Sequence, residues 1–560
     1  MPDSRFAQFG IYASILLASY AFYKLYITPY YLSSIRHLPG PPRKSIILGN
    51  LPEIVAAEPG ILQKEWLDKY GGYARYHFMF GVSRLLLSDV KAVNHILLSN
   101  PYSYPKPNAL RGELAKILGK GLLFAEGDDH KRQRKIMTPA FTWPHVRELT
   151  PVFQAKARIM LSQWLDAVAT EAESAEPKGY AIFDVSLGLN RCTLDVIGKA
   201  GLGYEFGSLE NDDNALAKSF QSMTKSLGEP SVLSFAMMFV VRALPFLALI
   251  PNKRVEVMRE SMRIRARESR KIFDEKKKVE QERMEKSDSS VKGARDLMSL
   301  LVRSNLDSSL KARDRMDDDE VMSQMTTFLL AGQETTSTAA TWTLLRLAQN
   351  PEIQTRLRAE IVEAQAEAER QGLAEIEPET LEKLPYLDAI CKEIMRFDSP
   401  VSGTIRGVAK EDHIPVSTPY RLPNGEMTDT IHVMPGQSIF MSIYTINRNE
   451  TIWGPDASKF NPDRWFNLPE SVADGTKGFL WAHQLSFLSG SRACIGWRFA
   501  VLELKAIISV AIQHCSFAER DEGGTEIYAR SFLVSKPLVR GEAKAGTQLP
   551  LRVSRVQKAQ

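Results

Sequence analysis

The sequence predicts a mainly helical α+β protein, one large helical domain with small sheets set to one side, preceded by a single membrane-crossing helix. Three observations carry this reading. Apolar residues recur at helical spacing over residues 312–350, 353–371 and 381–396. Shorter runs of strand character stand apart from them, at 73–80 and 83–88 and again near 431–443. Residues 6–23, between Arg5 and Lys24, contain no charged side chain.

At ~1.5 Å per residue that uncharged run reaches about 27 Å, close to the hydrocarbon thickness of an endoplasmic reticulum bilayer. A cleaved signal peptide is the competing reading. Against it, the segment has almost no basic leader, and bulky Tyr26, Tyr30 and Tyr31 stand where small cleavage-site residues are expected. Lys24, Arg36, Arg43 and Lys44 all follow the run, which favours a cytoplasmic C-terminal side. Residues 1–28 are therefore expected to form a retained single-pass anchor, with the remainder facing the cytosol. Leu38-Pro39-Gly40-Pro41-Pro42 resists helix continuation, so residues 29–44 read as a stiff hinge. No Ser/Gly-rich linker or internal repeat divides residues 45–560, which read as one domain.

Composition is that of a globular protein, with 44% hydrophobic and 24% charged residues in a chain of 560. A net charge of +5 is too weak a bias to argue for a nucleic-acid partner. The four cysteines, Cys192, Cys391, Cys494 and Cys515, form no C-x-x-C pair and no disulfide framework, which fits a reducing compartment. Residues 255–293 are densely charged, including Lys276, Lys277 and Lys278, and read as an exposed helix followed by a surface loop. Residues 231–250 are apolar but interrupted by Arg242 and Pro245. They read either as a buried helix pair or as a segment that dips into a membrane surface.

Chemistry concentrates at Phe487-Leu488-Ser489-Gly490-Ser491-Arg492-Ala493-Cys494-Ile495-Gly496. A lone cysteine is usually a small buried hydrophobe. Here Gly490 and Gly496 allow positive φ and close passage beside a flat group, and their amides can donate to sulfur. Phe487 can shield that sulfur, and Arg492 is placed to meet a carboxylate. The apolar run from Ile495 continues as a helix whose N-terminal dipole favours a thiolate. The run resembles the proximal haem loop of the cytochrome P450 family, F-x-x-G-x-R-x-C-x-G, at every fixed position. The resemblance implies haem, iron-protoporphyrin IX, with Cys494 as the axial thiolate and metal ligand. A thiolate pushes electron density onto iron and favours O–O cleavage.

Other segments extend the resemblance along essentially the whole chain. Glu393 and Arg396 lie three apart on one helical face, and Phe460-Asn461-Pro462-Asp463-Arg464-Trp465 resembles the family's second arginine motif. The resemblance implies a buried Glu393–Arg396–Arg464 cluster with a structural role. In Ala331-Gly332-Gln333-Glu334-Thr335-Thr336, helix-weakening residues interrupt a long apolar helix. Gly332 is expected to open space above the haem, while Glu334 and Thr335 resemble the family's acid–alcohol pair for proton delivery. His130, Arg134, Arg406 and Arg492 fit the family's propionate-binding positions. His130 stands where the family usually has tryptophan, and its imidazole can also donate N–H, though with shorter reach. Lys131 and Arg132 read as ordinary solvent-facing charges, with a share in a docking face for a reductase as the alternative.

Pocket-lining segments are expected near 122–124, 216–249, 328–335, 401–405 and 531–533, mostly apolar and suited to a hydrophobic small molecule. Arg530 reads as an exposed strand arginine rather than an anchor for a substrate carboxylate. The expected function is a haem-thiolate monooxygenase that uses O2 and oxidises a terpenoid or other hydrophobic metabolite in fungal secondary metabolism. Electrons would come from an NADPH-dependent diflavin reductase in the same membrane, with cytochrome b5 as a further donor. Fatty-acid or xenobiotic hydroxylation is the alternative substrate reading. An O2-independent isomerase or dehydratase, or a non-catalytic haem sensor, would leave the Glu334–Thr335 pair without purpose.

Overall fold

The computed structural model describes residues 4–173, 178–211, 214–219, 253–285, 296–306, 311–521, 525–531 and 533–556, with isolated positions between 232 and 241. The apolar stretch at 231–250 falls almost wholly outside them, as does most of the loop expected after the charged segment.

The chain opens with α1 (Ser4–Phe22), which continues in a wider winding through Tyr23–Leu32. Gln8–Leu32 is long and apolar enough to cross a membrane, and Phe9, Tyr12, Leu16 and Leu17 stay exposed. A helix apolar all round and not buried by protein matches lipid rather than water. Its foot is packed. Arg43 Nη1 donates to the Leu25 carbonyl at 2.6 Å, and the rings of Tyr30 and His77 lie 5.8 Å apart. Gly81, at φ 73°, lets the backbone pass against the Lys24 carbonyl where a Cβ would collide.

Strands β1 (Tyr73–His77) and β2 (Ser83–Leu87) pair antiparallel around that glycine turn. Then follow α2 (Gly127–Met137), α3 (Thr150–Ala172), β3 (Ala181–Asp184) and α4 (Val185–Val196). The charged segment forms α5 (Lys253–Glu285), as expected. The central helix α6 (Asp318–Gln349) has 32 residues, about 48 Å of helix. Its start is fixed by a capping box, in which Asp317 accepts from the Glu320 N–H and Glu320 from that of Asp317. Helix α7 (Pro351–Arg370) turns back at once. The helical run expected at 381–396 is split, because Pro385 ends the short helix Pro378–Lys383 and opens α8 (Pro385–Phe397).

Strands β4 (Gly403–Gly407), β5 (Asp412–Arg421), β6 (Met427–Val433) and β7 (Ser438–Ser442) come next. The single strand expected near 431–443 is two, parted by a turn at Gly436, φ 85°. Helix α9 (Trp497–His514) precedes β8 (Cys515–Glu519), β9 (Ile527–Ser531), β10 (Ser535–Val539) and β11 (Pro550–Arg555). The largest sheet runs β1-β2-β7-β4, with β2 and β7 parallel; β3-β11-β8 forms a second, and two hairpins complete the set. Helix α6 runs through the main core, packed on α4 and α9, and is buried on nearly every side beyond Gln333.

Candidate active site

Three of the four cysteines are sealed in the core. Burial pushes the thiols of Cys391 and Cys515 up to about 12 and raises that of Cys192 as well. Cys494 alone keeps accessible surface, although it lies deep among protein atoms, so it opens on an interior cleft. Burial raises its pKa, while the Gly496 N–H and the Arg134 guanidinium pull it back toward thiolate. The loop is held by Cys494 N donating to Phe487 O at 2.8 Å and Ala493 N to Gly490 O at 3.1 Å. Gly490 has φ 66°, and a Cβ there would collide with the Leu97 carbonyl. Gly496 does not share the expected positive φ. It caps α9 at φ −91°, the ordinary approach to a helix, and contributes its amide. Phe487 is nearly buried, edge-on to Trp481 at 5.2 Å.

Beside the loop the structure gathers His130, Arg134, Arg406 and Arg492. Arg134 Nη1 donates to Ala493 O at 2.7 Å, which ties α2 to the cysteine loop. Arg492 pairs with Glu126 and lies 4.8 Å over the Tyr102 ring. Lys106 reaches the same Glu126 at 2.7 Å, and burial lowers its pKa to about 8. Arg406 is almost fully buried and donates to Thr404 Oγ1 at 2.7 Å and Ile405 O at 2.8 Å. Burial and nearby Arg492 lower its pKa to about 10. Burial, then Arg492, Lys106 and Arg134, push His130 down to about 3, so it is neutral at physiological pH. The Tyr102 hydroxyl lies 3.1 Å from its Nδ1; a phenol donating there leaves the hydrogen on Nε2. Four cations, Arg406 and Arg492 buried and Lys106 and Arg134 half-buried, thus meet a single carboxylate in this cluster, and Arg492 Nε has no partner among the described residues. An unanswered buried charge is costly, so the cluster calls for anions, and two propionates fit. Lys106, Tyr102 and Glu126 escaped the sequence reading because no motif spacing marks them.

Along α6, Thr335 Oγ1 donates to Ala331 O at 2.7 Å, and both residues keep accessible surface in a stretch of the helix that is otherwise largely buried. Gly332 does not open that face. Its missing side chain faces Ile197, whose Cγ1 and Cδ1 would lie 2.9 Å from a Cβ. One residue along a helix is a rotation of about 100°, which takes Gly332 away from the side shared by Ala331 and Thr335. Its role is close packing of α6 on the turn Ile197–Leu202 that follows α4. Glu334 is buried and ion-paired with Lys536 of β10. Acid and alcohol are adjacent, yet each is bonded elsewhere.

The Glu393 carboxylate receives five hydrogen bonds. Arg396 donates twice, at 2.9 and 2.7 Å, Arg464 at 3.2 Å, the Asn461 N–H at 2.8 Å and the Trp465 indole at 3.1 Å. Arg396 also reaches the carbonyls of Asn447, Ala457 and Lys459. The same region is stitched to the approach of the cysteine loop. Gln484 donates to Lys392 O at 3.0 Å, Leu485 N to Asn447 Oδ1 at 3.0 Å and Ser486 Oγ to Met395 O at 2.6 Å.

Two surface expectations change. Arg132 is not solvent-facing: both its terminal nitrogens grip Glu320, at 2.7 and 2.6 Å, and join α2 to the cap of α6. Lys131 is exposed and pairs with Asp128 at 2.8 Å. Arg530 is part-buried, with Nη1 donating to Val55 O at 2.6 Å, and so is bound to backbone rather than displayed. Of the expected pocket segments, Leu122, Phe124, Val401 and Ile405 are half-buried and Leu123 is exposed, while Phe328 packs edge-on against Phe141. Most of 216–249 and the side chains at 531–532 lie outside the described residues.

The family model for cytochrome P450 matches residues 39–540. Cytochrome P450 monooxygenase 205 of Postia placenta is 39% identical over 93% of this chain and 93% of its own length. Cytochrome P450 monooxygenase 128 of the same organism is 36% identical over 96% and 95%. Cytochrome P450 monooxygenase claW of Ampulloclitocybe clavipes is 32% identical over 97% of both chains. A family match across most of the chain, relatives aligned almost end to end, and a single accessible cysteine beside a cationic cluster agree: this protein belongs to the cytochrome P450 family of haem-thiolate monooxygenases.

Proposed function

We propose that Cys494 is the axial thiolate and that the chain oxidises a small hydrophobic metabolite, of terpenoid or related secondary-metabolic type. The observation that carries the site assignment is the accessible Cys494, backed by the Gly496 amide, Arg134 and the start of α9. His130, Arg134, Arg406 and Arg492, joined by Lys106, are the residues that would hold the haem propionates. Phe487, Gly490 and Gly496 shape the space around sulfur. Haem supplies, when bound, the thiolate-assisted activation of dioxygen.

The chain's own residues then handle the substrate and the protons. Half-buried Leu122, Phe124, Val401 and Ile405 offer apolar surface to the substrate. Glu334 carries protons inward and Thr335 passes them on through its hydroxyl. For that transfer the Glu334–Lys536 pair opens and Thr335 releases Ala331 O. Glu393, Arg396 and Arg464 act structurally, through the strut of bonds to residues 484–486.

Residues 1–28 serve as the anchor, 29–44 as the hinge and 45–560 as the catalytic domain. The exposed apolar span Gln8–Leu32 supports a single-pass placement in the endoplasmic reticulum with the domain toward the cytosol. Electrons come from an NADPH-dependent diflavin reductase in the same membrane, with cytochrome b5 as a second donor. The fungal relatives, all named monooxygenases, support the metabolic setting. The test is the carbon monoxide difference spectrum of the reduced protein beside that of Cys494→Ser. A red-shifted thiolate Soret band, lost in the variant, is expected; a variant that keeps the band would remove Cys494 as ligand.

A further inference from the structure

The loop at residues 119–126 leads from the short helix Asn108–Leu118 into α2 and is gripped at both ends. Two glutamines hold its start. The Leu122 N–H donates to Gln324 Oε1 at 2.9 Å, Gln324 Nε2 donates to Gln133 Oε1 at 3.0 Å, and Gln133 Nε2 donates to Lys120 O at 3.1 Å. This ladder leaves the loop, crosses α6 and α2, and returns to the same loop two residues away. Gln133 also donates to Glu320 Oε1 at 3.0 Å, in the capping box of α6. Gln324 is 0% and Gln133 1% exposed, so bulk water does not compete for either amide. Buried amides left unbonded are costly, and each bond here orients the next, so the pair has one arrangement. Ser323 adds an outer grip, its Oγ accepting from the Lys120 N–H at 3.1 Å. Only glycine allows so close an approach. A Cβ on Gly119, at φ 77°, would collide with Ser323 Oγ, and one on Gly121 would crowd Thr327 Oγ1 at 2.7 Å. The end of the loop is held by cations: Arg111 Nε donates to Phe124 O at 3.2 Å, and Lys106 and Arg492 reach Ala125 O at 3.4 Å.

We propose that Gln324 and Gln133 are positioning residues for the oxidation, holding the loop by its backbone and so fixing where Leu122 and Phe124 stand against the substrate. The proposal rests on the reading of Cys494 as the thiolate and of these two side chains as pocket wall. Its geometric support lies along α6. Eleven residues are about three turns, so Gln324 and Thr335 share one face of that helix. The wall is therefore hung from the face on which Ala331 and Thr335 keep accessible surface, and wall and alcohol share one rigid frame. Because the ladder bonds only backbone atoms of the loop, it sets the wall's place without dictating its side chains. A wall held in advance does not have to be ordered by the incoming molecule, which favours bulky ligands that press on it.

Gln324→Leu removes the centre of the ladder at similar side-chain size, and Gln133→Leu removes its far end. In the full-length holoprotein, backbone hydrogen exchange at 119–124 should quicken by about tenfold or more in either variant, while α9 keeps its wild-type protection. The pocket is read by the Soret shift on adding imidazole, which is too small to need the wall, and 4-phenylimidazole, whose added ring leans on it. Imidazole should bind variants and wild type alike, and 4-phenylimidazole should bind each variant about threefold or more weakly. Ser323→Ala, at a half-buried position, should give both changes in smaller degree, and it serves where the glutamine variants fail to fold. Unchanged exchange at 119–124 would overturn the ladder. A ratio of 4-phenylimidazole to imidazole affinity equal to or above that of the wild type would overturn the positioning role. The reduced carbon monoxide spectrum is taken on every sample: a wild type without the thiolate band would fault the site assignment, and the exchange result would still judge the ladder.

Discussion

Replacing Glu393 by alanine is the most severe single perturbation the site offers. Five donors converge on its carboxylate, and two are guanidiniums whose side chains are 0% and 3% exposed. Deleting the acid strands both cations without water, and breaking a buried pair in this way costs about 3–5 kcal/mol. The Asn461 and Trp465 N–H groups lose their acceptor too, at about 1–3 kcal/mol each when no substitute is found. These losses overlap, so about 4 kcal/mol is a fair floor, against a typical total of about 5–15 kcal/mol. The damage also has a direction. Residues 484–486, which lead into Phe487, are bonded to α8 and to Asn447, so loosening Arg396 frees the cysteine loop. Arg464→Ala should be milder. It leaves Glu393 with Arg396, and the freed Asp456 is partly exposed and can take up water. Thermal unfolding and the ratio of haem to protein absorbance, measured on all variants with haem supplied during expression, decide the matter. Glu393→Ala with wild-type melting and haem content, or Arg464→Ala costing more than Glu393→Ala, would refute the reasoning.

Three further outcomes are expected. Thr335→Ala should bind haem normally yet divert reducing equivalents to peroxide, seen as a fall in product per NADPH in a reductase-coupled assay; unchanged coupling removes Thr335 from proton delivery. Lys536→Gln leaves Glu334 without its counter-ion, so product formed per NADPH should change, whereas coupling identical to wild type would make the ion pair incidental. Gly332→Val forces atoms onto Ile197 and should destabilise by about 1–3 kcal/mol in thermal unfolding. Adding Ile197→Ala should recover much of that loss, and failure to do so would mean the glycine serves another purpose.

What the sequence disclosed and what it withheld divide along physical lines. The cysteine loop was legible because its glycines, arginine and aromatic lie within ten residues and share one local purpose. The acid and two arginines of the structural cluster were legible for the same reason, as two short motifs in fixed order. Long helices were legible by period, yet Pro385 split one run, because a proline reads equally as an interruption and as a first helical residue. Gly332 was misassigned because a sequence shows that a residue is small and not which neighbour needs the room. Lys106, Glu126 and Lys536 remained hidden for a related reason. Each meets its partner across 20 or more residues, where spacing carries no information.

The packed foot of α1 bears on how this protein is best shortened for study. Trimming at residue 28 would discard the backbone that covers Gly81 and the carbonyl that receives Arg43, and would lay open the turn of the β1–β2 hairpin. A cut ahead of Lys24 would keep both contacts and shed most of the greasy length. The same contacts give the apolar rod a splinted joint rather than a slack tether, so with the proposed anchoring its tilt in a bilayer would set the heading of the domain that follows.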